Sequence, residues 1–225
     1  MADANKDPGV ADASNTPRDY VESLSARGIA PDRRVYDLLV VVDLARELLL
    51  SWDPDRILTT FLLTVMGRLG IGSGAVLIPH GHDQAELAPA SVRGWTKDES
   101  DPLRLPVGSR LENRLALAMR PMRGDECLPL LRPAVRAKWK ELEVSFAAPM
   151  LIGDKLRGVT LLGPRMAGED PSPAEMEFLA SACHLGILAH ERCGAAHRHE
   201  ERAMELEVAR RLALRDLEEL KRRLG

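Results

Sequence analysis

The chain has 225 residues, 45% of them apolar but only 4% aromatic, so its core must be built from leucine, valine, alanine and methionine. A formal charge of -3 leaves no electrostatic footprint for nucleic acid or an anionic membrane surface, and no apolar run reaches the ~20 residues that span a bilayer. Three cysteines, Cys127, Cys183 and Cys193, form no CxxC pair, and the first twenty residues lack the apolar stretch of a secretory signal, so a reduced cytoplasmic protein is expected.

Residues 1–32 are rich in Asp, Ala, Asn, Gly and Pro and read as a disordered tail with a short helix at 18–27. From residue 33, Val35, Leu38, Leu39, Val42 and Leu49 recur at helical spacing, while Val40, Val41 and Leu48 add apolar surface on other faces. Such a helix needs more than one partner, which places it between its own domain and a second subunit. Asp53-Pro54 is a cap followed by a first-turn proline, opening a second helix with Ile57, Phe61, Val65 and Leu69 inside and Gly70 at its end. Residues 73–79 (SGAVLIP) form a short core strand, 80–83 are turn chemistry, and 85–95 a second strand in which Pro89 marks a bulge or an edge.

The middle is less regular. Residues 103–107 suit a short strand. Ser109 to Glu112 is a capping box opening a helix that must stop before Pro121, and 130–141 is helical apart from Pro133. Residues 147–162 (AAPMLIGDKLRGVTLL) are two apolar runs about a Gly153-Asp154 turn, a hairpin. Ser172-Pro173-Ala174-Glu175 is then a complete helix start, with no proline from 174 to 224. A helix of that extent would run ~78 Å at ~1.5 Å per residue, beyond the domain it leaves. The expected fold class is α+β, an antiparallel sheet flanked by N- and C-terminal helices, the latter continuing as a long helix or coiled coil. The terminal helices should cover one sheet face and the irregular middle the other.

Residues 38–79, 105–122 and 148–190 together resemble a GAF domain, a small-molecule sensing module of bacterial signalling proteins. The most specific part is the hairpin from Pro149-Met150-Leu151-Ile152-Gly153 to Leu162 followed by the serine-capped helix. The resemblance implies a pocket beneath variable loops and dimerisation through the first and last helices. It divides the chain into the tail (1–32), a GAF domain (33–193) and a coiled-coil or signalling helix (194–225). Trp95, Asn113, Met119, Met122, Cys127 and Trp139 are the candidate pocket residues, although the large ones equally suit a core short of aromatics. Leu38, Leu39, Val42, Leu185, Leu206, Leu217, Leu220 and Leu224 are the candidate dimer contacts.

Known uses of the family leave few marks. The Asn-Lys…Phe…Asp-Glu series of cyclic-nucleotide binders is missing, since Arg114 follows Asn113 and Asp125-Glu126 lacks the spaced Phe. Cys183-His184 superficially fits bilin attachment, but it sits on the last helix with Leu179 and Ile187 at four-residue spacing, as a packing cysteine would. A thiol reductase of this family needs several closely placed cysteines, and Cys127 shows no partner. His190, Cys193 and His197 share a helix face where a metal would find ligands, but a solvated seam is the simpler account. His190-Glu191-Arg192 lacks the rest of a histidine-kinase phosphoacceptor box.

Leu206, Ala209, Ala213, Leu217, Leu220 and Leu224 step by three or four, and residues 197–225 balance eight basic against seven acidic side chains, as in a salt-bridged dimer helix. Arg120, Arg123, Arg132 and Arg136 give the middle a positive bias that suits an anionic ligand, an acidic partner or plain surface arginines. The expectation is a non-catalytic regulatory module. It would bind a small molecule or partner signalling protein and act through a homodimer, with no metal, nucleic acid or membrane partner, and the residues name no cofactor. A ligand-free scaffold for dimerisation and protein contact is the competing expectation.

Overall fold

The computed structural model of the chain describes residues 33–80 and 84–224, the side chains of 33–35, 37, 200, 201 and 212–224 excepted. The expected tail, its short helix and most of the 80–83 turn lie outside the described residues. Among the described residues, helices α1 (Arg33–Leu50) and α2 (Pro54–Leu69) come first. Asp53 caps α2 by accepting from the Asp55 and Arg56 amides, and Gly70 closes it in the left-handed conformation at φ 64°. Strands β1 (Gly74–His80) and β2 (Glu86–Arg93) follow, then a short turn of helix, α3 (Lys97–Ser100), and β3 (Leu105–Pro106). The middle continues through α4 (Arg110–Ala118), β4 (Met122–Arg123), α5 (Gly124–Cys127) and α6 (Pro133–Glu141). The hairpin β5 (Phe146–Ile152) and β6 (Lys155–Leu162) leads into α7 (Pro173–Leu224).

The six strands form one antiparallel sheet in the order β3-β2-β1-β6-β5-β4. Both edge strands are two residues long and pair only with Glu86 and Leu87 of β2 and with Phe146 and Ala147 of β5. Pro89 is tolerated inside β2 because β3 pairs only with Glu86 and Leu87, and because the register shifts beside it, Val76 facing Ser91 and Leu77 facing Pro89. In the β5–β6 turn Gly153 takes φ 61°, a conformation glycine adopts without a Cβ penalty.

Each central strand is buried on both faces, hence its continuous apolar run. Val76, Ala148, Met150 and Leu162 point into a core shared with α1, α2 and α7, through Leu44, Phe61, Phe178 and Ile187. Their neighbours Ala75, Leu77, Ala147, Val159 and Leu161 point into a second core closed by the middle segment, through Leu103, Leu115, Cys127 and Trp139. The terminal helices thus cover one face and the middle segment the other.

The helix α7 is one 52-residue element that passes Gly194 without interruption. It crosses α2 closely at Gly186, where a Cβ would lie 2.8 Å from the Phe61 ring. Its side chains are buried on the inner face as far as Cys193, half-buried at 194–196, and exposed over 202–211. No helix among the described residues is long and apolar enough to cross a membrane.

Candidate functional site: a cleft between two helix starts

A cleft of about 520 Å³ opens on the second sheet face, between the start of α4 and the start of α6. Local sequence builds both walls. Ser109 caps α4 by accepting from the Glu112 amide, while Glu112 reaches one residue further back than a standard capping box and accepts from the Gly108 amide. Gly108 itself turns the chain with φ 77°. On the other wall the residues 128–130 form a short 3-10 turn, and Pro133 sits at the first position of α6, where its missing N–H costs nothing.

The floor of the cleft is apolar and buried, from Leu105, Leu111, Leu131 and Val135, while Val107, Pro129 and Leu130 add apolar surface that solvent reaches. Arg110, Arg132 and Arg136 supply its charge. Arg110 and Arg132 are exposed. Arg136 is half-buried and donates from one terminal nitrogen to the Leu131 carbonyl at 3.0 Å and the Pro129 carbonyl at 3.4 Å, which staples the 3-10 turn to α6. Its Nε is buried without a hydrogen-bond partner among the described residues. The dimensions and the mix of apolar floor with a few polar groups fit a small-molecule site.

None of the six residues singled out as pocket candidates lines this cleft. Asn113 comes nearest, its amide donating to the Gly108 carbonyl at 3.2 Å on the rim of α4. Met122, Cys127 and Trp139 are buried in the second core, and Trp95 packs partly buried against it. Met119 ends α4 in the left-handed conformation with its side chain exposed. Of the four arginines of the middle segment, Arg132 and Arg136 reach the cleft, whereas Arg120 pairs with Glu126 at 3.0 Å and Arg123 with Asp170 at 2.6 Å. The capping box at Ser109 is legible in sequence, whereas Pro133, expected as an exception within a helix over 130–141, instead opens α6 after a 3-10 turn, and nothing local indicates that the two starts face each other.

The three cysteines are free and buried. Burial pushes the Cys127 thiol up to about 12, helped by the nearby carboxylates of Glu126 and Asp125, so it holds its proton at any physiological pH. Cys183 donates to Thr160 Oγ1 at 3.6 Å within the first core, a packing cysteine, while His184 lies 2.9 Å from the Leu151 carbonyl. Cys193 turns its sulfur to the Trp52 carbonyl at 3.0 Å. Among the described residues no group of three His, Cys, Asp or Glu side chains converges as a metal site.

Of the candidate dimer contacts, Leu38, Val42 and Leu206 are exposed in the single chain and Leu39 and Leu185 half-buried. The side chains of Leu217, Leu220 and Leu224 lie outside the described residues.

Comparison with solved structures places this architecture. A GAF domain of a phosphoenolpyruvate-protein phosphotransferase from Coxiella burnetii superposes with a TM-score of 0.55 at 18% identity, over 73% of this chain and 99% of that one. The equivalent GAF domain from Acinetobacter gives 0.55 at 13% identity, over 70% and 94%. Free methionine-R-sulfoxide reductase from Neisseria meningitidis, in complex with its substrate, gives 0.54 at 16% identity, over 74% and 95%. The chain has the GAF fold. No family model and no curated protein matches the sequence.

Proposed function

We propose that the chain is a non-catalytic sensory or regulatory module of cytoplasmic signal transduction. A small molecule or a segment of a partner protein occupies the cleft, and its occupancy is passed to the C-terminal helix of a homodimer. The observation that carries this reading is the shared sheet. β5 and β6 give Ala147, Val159 and Leu161 to the core beside the cleft, and Ala148, Met150 and Leu162 to the core against which α7 packs. Close-packed layers transmit small displacements, so a ligand that shifts one face biases the helix on the other. Residues 33–193 act as the sensing domain and 194–225 as the signalling helix or coiled coil, whose exposed Leu206 and Val208 await a partner helix.

The likeness to a sulfoxide reductase is one of fold. Thiol chemistry needs an accessible thiolate, and Cys127 and Cys183 are buried with their thiols both pushed up to about 12 by burial. The scaffold reading has one specific support: most of the middle segment is packed down on the sheet, with Trp139 only 1% exposed. The cleft is an open part of that face. A thermal-shift screen of the full chain against cyclic nucleotides, haem and amino acids separates the two. A ligand that raises the midpoint by several degrees and slows amide exchange along 186–199 supports the sensor, and a uniformly flat screen leaves the scaffold.

A further inference from the structure

We propose that the cleft between the starts of α4 and α6 takes a small organic anion, a carboxylate or phosphate monoester carried on an apolar body. The inference rests on the reading of this cleft as a ligand site and gives that ligand its chemistry.

Charge is distributed very unevenly along the chain. Residues 103–140 carry nine arginines and lysines against three carboxylates, in a protein whose formal charge is -3. Seven of these nine sort by place, while Arg114 and Lys140 are exposed away from the cleft with no ion pair among the described residues. Away from the cleft, Arg104 pairs with Glu86, Arg120 with Glu126, Arg123 with Asp170 and Lys138 with Glu141. At the cleft, Arg110, Arg132 and Arg136 have no carboxylate within ion-pair distance among the described residues, and no carboxylate lines the walls. Glu112, in the first turn of α4, is held by the Gly108 amide.

Two of these arginines also stand where a cation is least favoured. Arg110 is the first residue of α4, and Arg132 is the N-cap of α6, where it makes no side-chain capping bond. Each nine-residue helix presents its positive end there, and acidic or small polar residues normally occupy such positions. The same local conflict appears on both walls of one cavity, and an anion between them resolves both at once. The apolar surface of Val107, Pro129 and Leu130 that solvent reaches in the cleft gains nothing from a bare inorganic ion, which would also leave most of about 520 Å³ unfilled. An apolar body covers that surface while the anionic group meets the arginines at the rim.

The test is an amide NMR titration of the full chain with four probes: 4-phenylbutyrate, phenyl phosphate, the neutral 4-phenylbutan-1-ol and inorganic phosphate. The two organic anions should shift the amides of Gly108, Ser109, Leu131 and Arg136, and bind at least tenfold more tightly than either the alcohol or inorganic phosphate. Whichever of the two binds tighter identifies the anionic group. Because Arg110 and Arg132 are exposed, the double variant Arg110→Gln/Arg132→Gln should fold normally, lose most of the anion affinity and keep that for the alcohol. An alcohol as tight as the acid, inorganic phosphate as tight as its phenyl ester, or an unchanged preference in the double variant overturns the anion assignment while leaving the cleft as a site. If no probe moves the cleft amides, the ligand-site reading falls with it.

Discussion

Glu175 is 3% exposed and is surrounded by donors. Its carboxylate accepts from the Ser172 amide at 2.7 Å, the Ser172 hydroxyl at 2.9 Å and two nitrogens of Arg165, each at 3.2 Å. Burial works to raise its pKa, but the hydrogen bonds from Ser172 and the Arg165 guanidinium outweigh it and hold the group below its ordinary 4.5. A depressed folded-state pKa stabilises the fold above the unfolded pKa, and that contribution disappears as pH falls through the folded value. Glu175→Gln should therefore cost about 3 kcal/mol at pH 7, the usual scale for leaving a buried partner unpaired, and lower the thermal midpoint by on the order of 10 °C. In urea unfolding the gap between wild type and variant should narrow below about pH 4.5, and a gap independent of pH down to pH 3 would show that the charge is irrelevant. The serine–glutamate half of this cluster is legible as a local motif. Arg165 is not, because it arrives through a loop fixed by an isolated bridge to Ile71.

At the scale of elements, two of the glycines that sit inside helices, Gly186 and Gly67, make opposite predictions. Gly186 in α7 faces the Phe61 ring and, at 3.3 Å from its would-be Cβ, the Met150 methyl, all within the first core. A leucine there must push α7 off α2, so Gly186→Leu should destabilise by roughly 1–3 kcal/mol through overpacking. Gly67 in α2 is exposed and nothing lies within 4 Å of its would-be Cβ, so Gly67→Ala should stabilise by about 0.5–1 kcal/mol. Equilibrium urea unfolding reads both, and a Gly186→Leu variant as stable as wild type would mean that the crossing is not tight.

Elements long enough to show a period are the ones the sequence reveals: α1, α2, the β5–β6 hairpin and α7. Strand β4 and the helices α3 and α5 span two to four residues, too few for any period, and exist because the sheet edge and the second core hold them. The cleft escaped sequence reading for a related reason. Large apolar residues such as Trp139 and Met122 have most to gain from burial and leave the surface, so what remains around an opening is loop backbone, small residues and arginine stems.

At the scale of the whole molecule, the proposed signal route depends on how α1 and α7 are joined and what covers them. Arg192 of α7 donates to the Leu49 carbonyl at 2.8 Å and the Ser51 carbonyl at 3.2 Å, capping the end of α1, and its guanidinium lies 5.0 Å from the Trp52 ring centroid. Arg192→Ala should cost about 1–2 kcal/mol and speed amide exchange at 49–52 and 190–197 more than elsewhere. Uniform acceleration across the chain would instead make Arg192 an ordinary contributor to stability.

The face of α1 turned away from this joint carries Leu38, 64% exposed, and Val42, 41% exposed, with Leu49 on the same helix. Leu188 is exposed on α7, and α1 packs directly against α7, so a second copy approaching these helices could cover both. Wild type should therefore run as a dimer in multi-angle light scattering at tens of micromolar. Leu38→Glu/Val42→Glu should be a monomer with unchanged helical circular dichroism, since neither side chain supports the fold of its own chain. A dimeric double variant would move the interface to residues 197–224, where Leu206 is exposed and the charges balance. A monomeric wild type would remove the helix pair through which a signal from the cleft is proposed to leave.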